Sequence, residues 1–210
     1  MMVCFAACEQ APTTSEAEPT PTLSAEQIKT LPFEELYSQS SVEQLEDPFT
    51  LIGEKWSVLT AGPKDGYNSM VASWGGWGIL FNKPVIYHML RSNRYTLELM
   101  RQEGRYTVSF FEEENKEQLM LFGSKSGRDS DKMKESKLSP ITTPSGLPTY
   151  REATLVLECR LMEVTTVSPK DFTDEESVKF IEDAFAETKE YHKLVMSEIE
   201  KVWVRHPKAQ

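Results

Sequence analysis

Two short segments of the 210-residue chain carry residue types that suit the binding of an anion and of a flat ring. The first is NSMVASWGGWG at residues 68–78, and the second is RSNRYT at residues 91–96. Guanidinium, hydroxyl and backbone N–H groups bind phosphate well, and the second segment offers all three. In the first segment, small side chains and glycines let a ring lie close to the backbone. Together the two segments predict a site for a flat, phosphorylated ligand.

The predicted secondary structure positions these groups. A helix over residues 95–102 places Thr96 in its first turn, where free N–H groups and the helix dipole favour an anion. Strands are predicted at 56–61, 69–74, 85–90, 106–111, 153–167 and 192–204, and further helices at 33–45, 113–122 and 174–185. Strands in this number, without regular β–α alternation, favour an antiparallel barrel over a doubly wound fold.

Charge is spread unevenly along the chain. With 23 Lys and Arg against 33 Asp and Glu, the net charge is −10, which makes a nucleic-acid partner a poor fit. Residues 1–50 carry −8, from nine acids and one base, whereas residues 83–137 carry +2, from eleven bases and nine acids. This contrast predicts a basic pocket for an anionic ligand in an acidic protein. The alternative is an ordinary fluctuation of surface charge.

Metal and thiol chemistry find little support in the sequence. The three cysteines show no CxxC spacing, and the three histidines, His88, His192 and His206, are far apart. Neither a disulfide framework nor a metal site is predicted. Cys159 lies in a predicted strand and is interpreted as a small core residue rather than a nucleophile.

The N-terminal 30 residues differ in composition from the rest. Residues 1–8, which end in FAAC, are similar to a truncated bacterial lipoprotein signal, although no Lys or Arg precedes FAAC and the apolar run is short. Residues 9–30, rich in Pro, Thr and Glu, predict a flexible tether, followed by one domain over residues 31–210. A lipid on Cys8 would anchor the protein outside the cytoplasm. The alternative is a disordered tail on a cytoplasmic protein.

Several motifs in order carry a family resemblance. WSVLTAG, DGYNSMVASWGGWG, KPV, RSNRYT, YTVSFF, GSKSGRDSDK and LECRL, between residues 51 and 204, together resemble the flavin reductase-like family, which includes flavoredoxins. The resemblance implies a mainly β, six-stranded antiparallel Greek-key split barrel with peripheral helices. It also implies a homodimer that binds FMN near the subunit interface.

The resemblance and the donor chemistry together assign site residues. The ring would lie against residues 68–73 and the phosphate at residues 91–96, with part of GSKSGRDSDK closing the site. The predicted cofactor-binding residues are Asn68, Ser69, Met70, Val71, Ala72, Ser73, Trp74, Arg91, Ser92, Arg94, Tyr95, Thr96, Ser124, Ser126 and Lys132.

Other interpretations of these residues stay open. Trp74 and Trp77 suit core or interface packing equally well, and GSKSGRDSDK is also typical of a solvated loop. His192 is the candidate catalytic residue, assisting at the nicotinamide. Because Ser197 stands where the resembled motif has a glycine, a structural role for His192 is equally open.

The resulting prediction is an FMN-binding oxidoreductase of flavin reductase type. It would pass electrons from NADH or NADPH through FMN to a flavin or another acceptor, while the chain holds and tunes the ring. One alternative is a flavoredoxin-like electron carrier reduced by a protein partner. A further alternative is a non-redox ligand-binding lipoprotein on the same barrel, since fold does not fix function.

Overall fold

The computed structural model describes residues 21–188 and 190–209, and its main element is an antiparallel sheet of eight strands. These strands are β1 Tyr37–Ser40, β2 Ser57–Ala61, β3 Asn68–Ala72, β4 Gly75–Leu80, β5 Lys83–Leu90, β6 Arg105–Phe111, β9 Ala153–Thr166 and β10 Lys193–Arg205. A separate hairpin consists of β7 Pro140–Thr142 and β8 Pro148–Tyr150. The helices are α1 Ala25–Thr30, α2 Phe33–Leu36, α3 Tyr95–Glu103, α4 Lys116–Ser124, α5 Lys132–Glu135 and α6 Glu175–Ala184.

The sheet rolls into an open barrel. Its strand order is β3-β2-β6-β9-β10-β5-β4, and β1 pairs with the end of β10. β3 and β4 stand at opposite ends of this order, yet only Ser73 and Trp74 separate them in the chain. The Met89 N–H donates to the carbonyl of Trp74 (3.0 Å), which attaches this short connection to β5. The predicted class, an antiparallel split barrel with peripheral helices, is confirmed, with eight strands in the sheet instead of six.

The core forms on both faces of the sheet. One cluster fills the barrel and includes Leu59, Val108 and Phe110, together with Cys159, which is a core residue as predicted. The second cluster lies between the sheet, α4, the β7–β8 hairpin and the N-terminal helices, and includes Tyr150. Because both faces are covered, every residue of β2 is buried. The second layer fixes α4, and thereby the loop that follows it, against β3.

The N-terminal segment is more ordered than predicted. The prediction of a flexible tether is wrong for residues 21–30, whereas the predicted signal and residues 9–20 lie outside the described residues. Leu23 is buried, and its N–H and carbonyl pair with Pro207 and Ala209 at 2.7 Å each. A capping box between Ser24 and Gln27 starts α1. The few apolar residues of a polar stretch are enough to dock it on the core.

Replacing Leu23 by alanine is therefore expected to destabilise the protein by about 2–4 kcal/mol, in the range of large-to-small core substitutions. The midpoint of urea unfolding measures this loss. Thr22→Ala is the matched control, because Thr22 is exposed and should change the midpoint little. An unchanged midpoint for Leu23→Ala would show that the segment detaches without cost.

Several elements depart from the predicted ones. The helix predicted over 33–45 ends at Leu36 and continues into β1, while β4 and the β7–β8 hairpin were not predicted. β4 is rich in glycine, and the ring of Tyr87 on β5 lies against Gly76, covering the strand from across the pair. In the described part of the chain, no helix has the length and apolar character needed to cross a membrane.

Candidate functional site

A cavity of about 300 Å³ lies between β3, the start of α3 and the loop that follows α4. The lining unites seven of the predicted cofactor residues from three separate parts of the sequence. They are Asn68, Met70, Arg94, Tyr95, Thr96, Ser126 and Lys132. Six further lining residues were not predicted, namely Asn93, Phe122, Lys125, Gly127, Arg128 and Asp129.

The N-terminus of α3 supplies hydrogen-bond donors to this cavity. Arg94 is the N-cap residue, and no side chain caps the first turn. Thr96 is buried, and its hydroxyl accepts a hydrogen bond of 2.7 Å from the Asn68 side-chain amide. The hydroxyl of Thr96 therefore keeps its own proton for another acceptor. Free N–H groups, this hydroxyl and the helix dipole all favour an anion here.

Two cations stand beside these donors. Lys132 is only 3% exposed, and its ammonium donates to the carbonyls of Phe122 (3.0 Å) and Lys125 (2.9 Å). Burial, and then the positive charge of Arg94, lowers the pKa of Lys132 to about 8. The pKa of Arg94 is also lowered, by burial and then by Arg91. Within the described residues neither Arg94 nor Lys132 has a carboxylate partner, so an anion would relieve their repulsion.

The loop after α4 is pinned over the cavity. The Arg128 guanidinium donates to the Asn93 carbonyl (2.9 Å), pairs with Glu98 and lies over the ring of Tyr95. Gly127 lies so close to Asn68 that a Cβ would overlap the amide oxygen and lie 2.7 Å from Cγ. Arg128 thus ties the loop to α3, and the glycine allows it to close.

A second cavity of about 410 Å³ opens beyond the other end of β3. Trp74 and His192 line it with ring centroids 5.2 Å apart, and α6 contributes the neighbouring ring of Phe180. Burial, and then Arg91 and Arg94, lowers the pKa of His192 from 6.5. The imidazole is therefore neutral at pH 7. β3 links the two cavities, because Asn68 lines the first and Trp74 follows the strand by two residues.

The structure separates other predicted residues from both cavities. On β3, Ser69 points to the second core cluster, where its hydroxyl bonds to Thr60 (2.8 Å) and Tyr150 (2.7 Å). Val71 packs in that cluster too. Ala72, the last residue of β3, is buried in the barrel. The predicted residues outside β3 that line neither cavity are Ser73, the exposed Arg91, Ser92, which bonds to Glu190, and Ser124 at the end of α4. The alternation of β3 explains why its residues do not act together.

The described residues contain no cluster of side chains that could bind a metal ion. In residues 21–188 and 190–209, no three His, Cys, Asp or Glu side chains come together as a metal site would require. The cavities instead offer cationic, hydroxyl and aromatic groups.

These features define an open antiparallel barrel with a cavity lined by cationic and hydroxyl groups at a helix N-terminus and an aromatic cavity beside it. The chain belongs to the flavin reductase-like family, because residues 51–210 match the model of the flavin reductase like domain. No curated protein matches the sequence at a significant level.

Solved structures share the fold at low sequence identity. An FMN-binding protein from Thermus thermophilus with bound 1-cyclohex-2-enone is 23% identical, with a TM-score of 0.54 over 71% of this chain and 69% of that chain. An FMN-binding domain of a flavin reductase-like enzyme from Shewanella baltica is 17% identical, with a TM-score of 0.56 over 80% and 76%. Flavoredoxin of Desulfovibrio vulgaris is 19% identical, with a TM-score of 0.54 over 80% and 76%. At this identity the similarity establishes the fold.

Proposed function

We propose that this protein binds FMN and works as an oxidoreductase of flavin reductase type. The observation that carries the proposal is the cavity at α3, where Arg94, Thr96 and Lys132 surround a space suited to a phosphate. Membership of the flavin reductase-like family supports it. So do the similar structures from T. thermophilus and S. baltica, which are both described as FMN-binding.

The residues present fit the parts of FMN. The phosphate would be held by Arg94, the hydroxyls of Thr96 and Ser126, and the free N–H groups of α3. The ring would lie along β3 from Met70 towards Trp74. When bound, FMN would supply hydride and electron transfer. The side chains themselves bind, orient and enclose, and the neutral imidazole of His192 can donate one hydrogen bond beside the ring.

FMN affinity is expected to fall with rising pH above about 8. The pKa of Lys132 is depressed to about 8, so the ammonium is charged at pH 7 and lost above pH 8, while a bound phosphate raises this pKa. Linkage then predicts a dissociation constant that rises up to about tenfold per pH unit above 8. The phosphate is already a dianion there. Flavin fluorescence titrations at pH 7 and pH 9 measure the change.

Lys132→Arg is the matched control for this pH dependence. Arginine stays protonated throughout the range, so the variant should bind FMN with nearly equal affinity at pH 7 and pH 9. A variant that keeps the full pH dependence of the native protein would assign the titration to another group.

The electron donor defines the reaction class. We propose NADH or NADPH as donor, and a flavin or another small molecule as acceptor. The flavoredoxin of D. vulgaris, similar in fold, supports the second candidate, an electron carrier reduced by a protein partner. Anaerobic addition of NADH and then NADPH to the FMN-loaded protein separates these candidates by absorbance near 450 nm. Rapid bleaching supports the reductase, a persistent oxidised spectrum supports the carrier, and failure to bind flavin overturns both.

We also propose that the protein is a homodimer, as the family resemblance implies. β4 ends the strand order, and it exposes Ile79, while the turn after it exposes Phe81 at 79%. A second copy would cover these apolar side chains. Light scattering should give about twice the monomer mass for the native chain, and a lower mass for Phe81→Ser. A native chain that is monomeric at all concentrations would contradict the proposal.

A further inference from the structure

One face of the helix α6 is apolar and lines the second cavity. Among the described residues, no other part of the chain fully covers this face. Its N-cap Asp174 accepts a hydrogen bond of 2.9 Å from the Ser177 N–H, which fixes where the helix starts. Phe180 and Ile181 line the cavity one turn later, yet no residue of α6 is buried and Phe180 is 55% exposed. A short helix normally derives its stability from burying its apolar face. The cavity therefore offers α6 an incomplete apolar contact.

The second cavity, called the slot from here on, is lined by aromatic rings that pack against one another. Trp74 lies 5.2 Å from His192 and 6.1 Å from Phe180, and Phe185 lies 5.0 Å from His192, as measured between ring centroids. These separations are those of interacting aromatic pairs. Met89 and Phe172 add further apolar surface. Because these rings contact one another, they form one continuous aromatic surface on which a flat ligand would stack with one face.

Charge and size restrict that ligand. The charged residues that line the cavity are Asp174 and Glu176, and no Lys or Arg is among its lining residues. From the lining itself an anionic ligand would therefore meet like charge, and the positive charges of Arg91 and Arg94, which lower the pKa of His192, lie outside the lining. The volume of about 410 Å³ is at the small end of ligand pockets, which run from about 300 to 1,000 Å³. One or two fused rings fit this space better than a dinucleotide.

His192 adds a polar group to this apolar slot. Among the described residues, no group hydrogen-bonds to its ring, so its single N–H is free for a ligand. A carbonyl oxygen is the simplest acceptor that an uncharged ring compound can present to that N–H.

We propose that the slot between Trp74, His192 and α6 binds an uncharged one- or two-ring carbonyl compound of the quinone class. The His192 N–H would donate to the carbonyl oxygen. The inference rests on the proposed function in one respect: the compound would be the acceptor for the bound FMN. Reduction of a quinone to its hydroquinone takes two electrons and two protons, which one fully reduced FMN supplies. Binding in the slot itself does not require FMN.

A matched pair of probes tests the charge preference. Dimethylnaphthoquinone is uncharged, whereas the analogue in which a hydroxyl on the quinone ring replaces one methyl group is an anion at neutral pH, because that hydroxyl is a vinylogous acid. Both are titrated into the full chain, with and without FMN, and followed by tryptophan fluorescence and by the indole N–H signal of Trp74, assigned with Trp74→Phe. The uncharged compound is expected to bind at least about tenfold more tightly than the anion. Equal affinity, or failure to perturb Trp74, would overturn the proposal.

Variants test the slot residue by residue. Phe180→Ser should weaken binding of the uncharged quinone about tenfold, and His192→Phe, which keeps a ring but removes the N–H, about fivefold. Glu176→Lys should reverse the preference towards the anion. Phe49→Ser is the control, because Phe49 is 83% exposed and does not line the cavity. Unchanged affinity in all three slot variants would contradict the assignment.

The outcomes separate this inference from the proposed function. Quinone binding without FMN binding would keep the slot and reject the flavoprotein. FMN binding without quinone binding would reject the slot alone. Competition between FMN and the quinone would show that the flavin ring itself fills the slot. A dimer that excludes the quinone would show that a second copy of the chain covers α6. Either result would overturn the inference.

Discussion

Replacing Arg94 by alanine is expected to raise the dissociation constant for FMN by about 10- to 150-fold. A hydrogen bond to a charged group contributes about 1.5–3 kcal/mol, and such energies correspond to these factors in affinity. Arg94 lines the cavity beside Thr96, and its pKa is lowered by burial and by Arg91 rather than raised by a carboxylate. A bound anion would therefore stabilise the charged guanidinium. Flavin fluorescence at equilibrium measures the change.

Arg91→Ala is the matched control for this prediction. The two arginines are three residues apart and equally basic, but Arg91 is exposed and lies outside the cavity lining. We expect a loss of no more than about threefold, from long-range charge alone. A larger loss of FMN affinity for Arg91→Ala than for Arg94→Ala would mean that the phosphate binds nearer to His192. Equal FMN affinity of both variants and the native chain would show that the phosphate does not bind in this cavity.

The sequence indicates the residue types that line the cavity at α3 better than it indicates which individual residues line it. RSNRYT and the start of α3 lie together in the chain, so their donors could be recognised locally. Which of the two arginines faces the cavity depends on a turn of the backbone at residues 91–94 that no periodicity records. The pairing of Asn68 with Thr96, across 28 residues, is equally invisible to local patterns. For Ser69, the sequence predicts a cofactor contact and the structure places the hydroxyl in a buried network, because a small hydroxyl side chain suits both environments equally well.

The fold shows the same division. Long alternating strands such as β9 and β10 were predicted, because their apolar residues follow the pleat. β4 was missed because its glycines carry no pattern, and only its partner β5 makes it a strand. The prediction of a flexible tether is wrong for residues 21–30 for a related reason. Two apolar residues, Leu23 and Ile28, are too few to predict a core contact from the sequence, yet both are buried.

Gly127→Ala is expected to reduce FMN affinity by at least about tenfold while leaving the barrel folded. A Cβ at this position would overlap the amide oxygen of Asn68. Asn68 cannot step aside, because it is buried and donates to Thr96. The loop must lift instead, carrying Ser126 away from the cavity. Overpacking costs about 1–3 kcal/mol, so calorimetry should still show one cooperative transition, whereas flavin titration should show the loss.

Two comparisons decide whether the steric overlap is the cause. Gly123→Ala should leave FMN affinity unchanged and stabilise α4 by up to about 1 kcal/mol, since its Cβ would meet only Val71 at 3.9 Å. The double variant of Asn68→Ala with Gly127→Ala should bind no worse than Asn68→Ala alone, because removing the amide removes the overlap. Such non-additivity is what contacting residues show. Additive losses would mean that Gly127 acts through the loop backbone and not through its approach to Asn68.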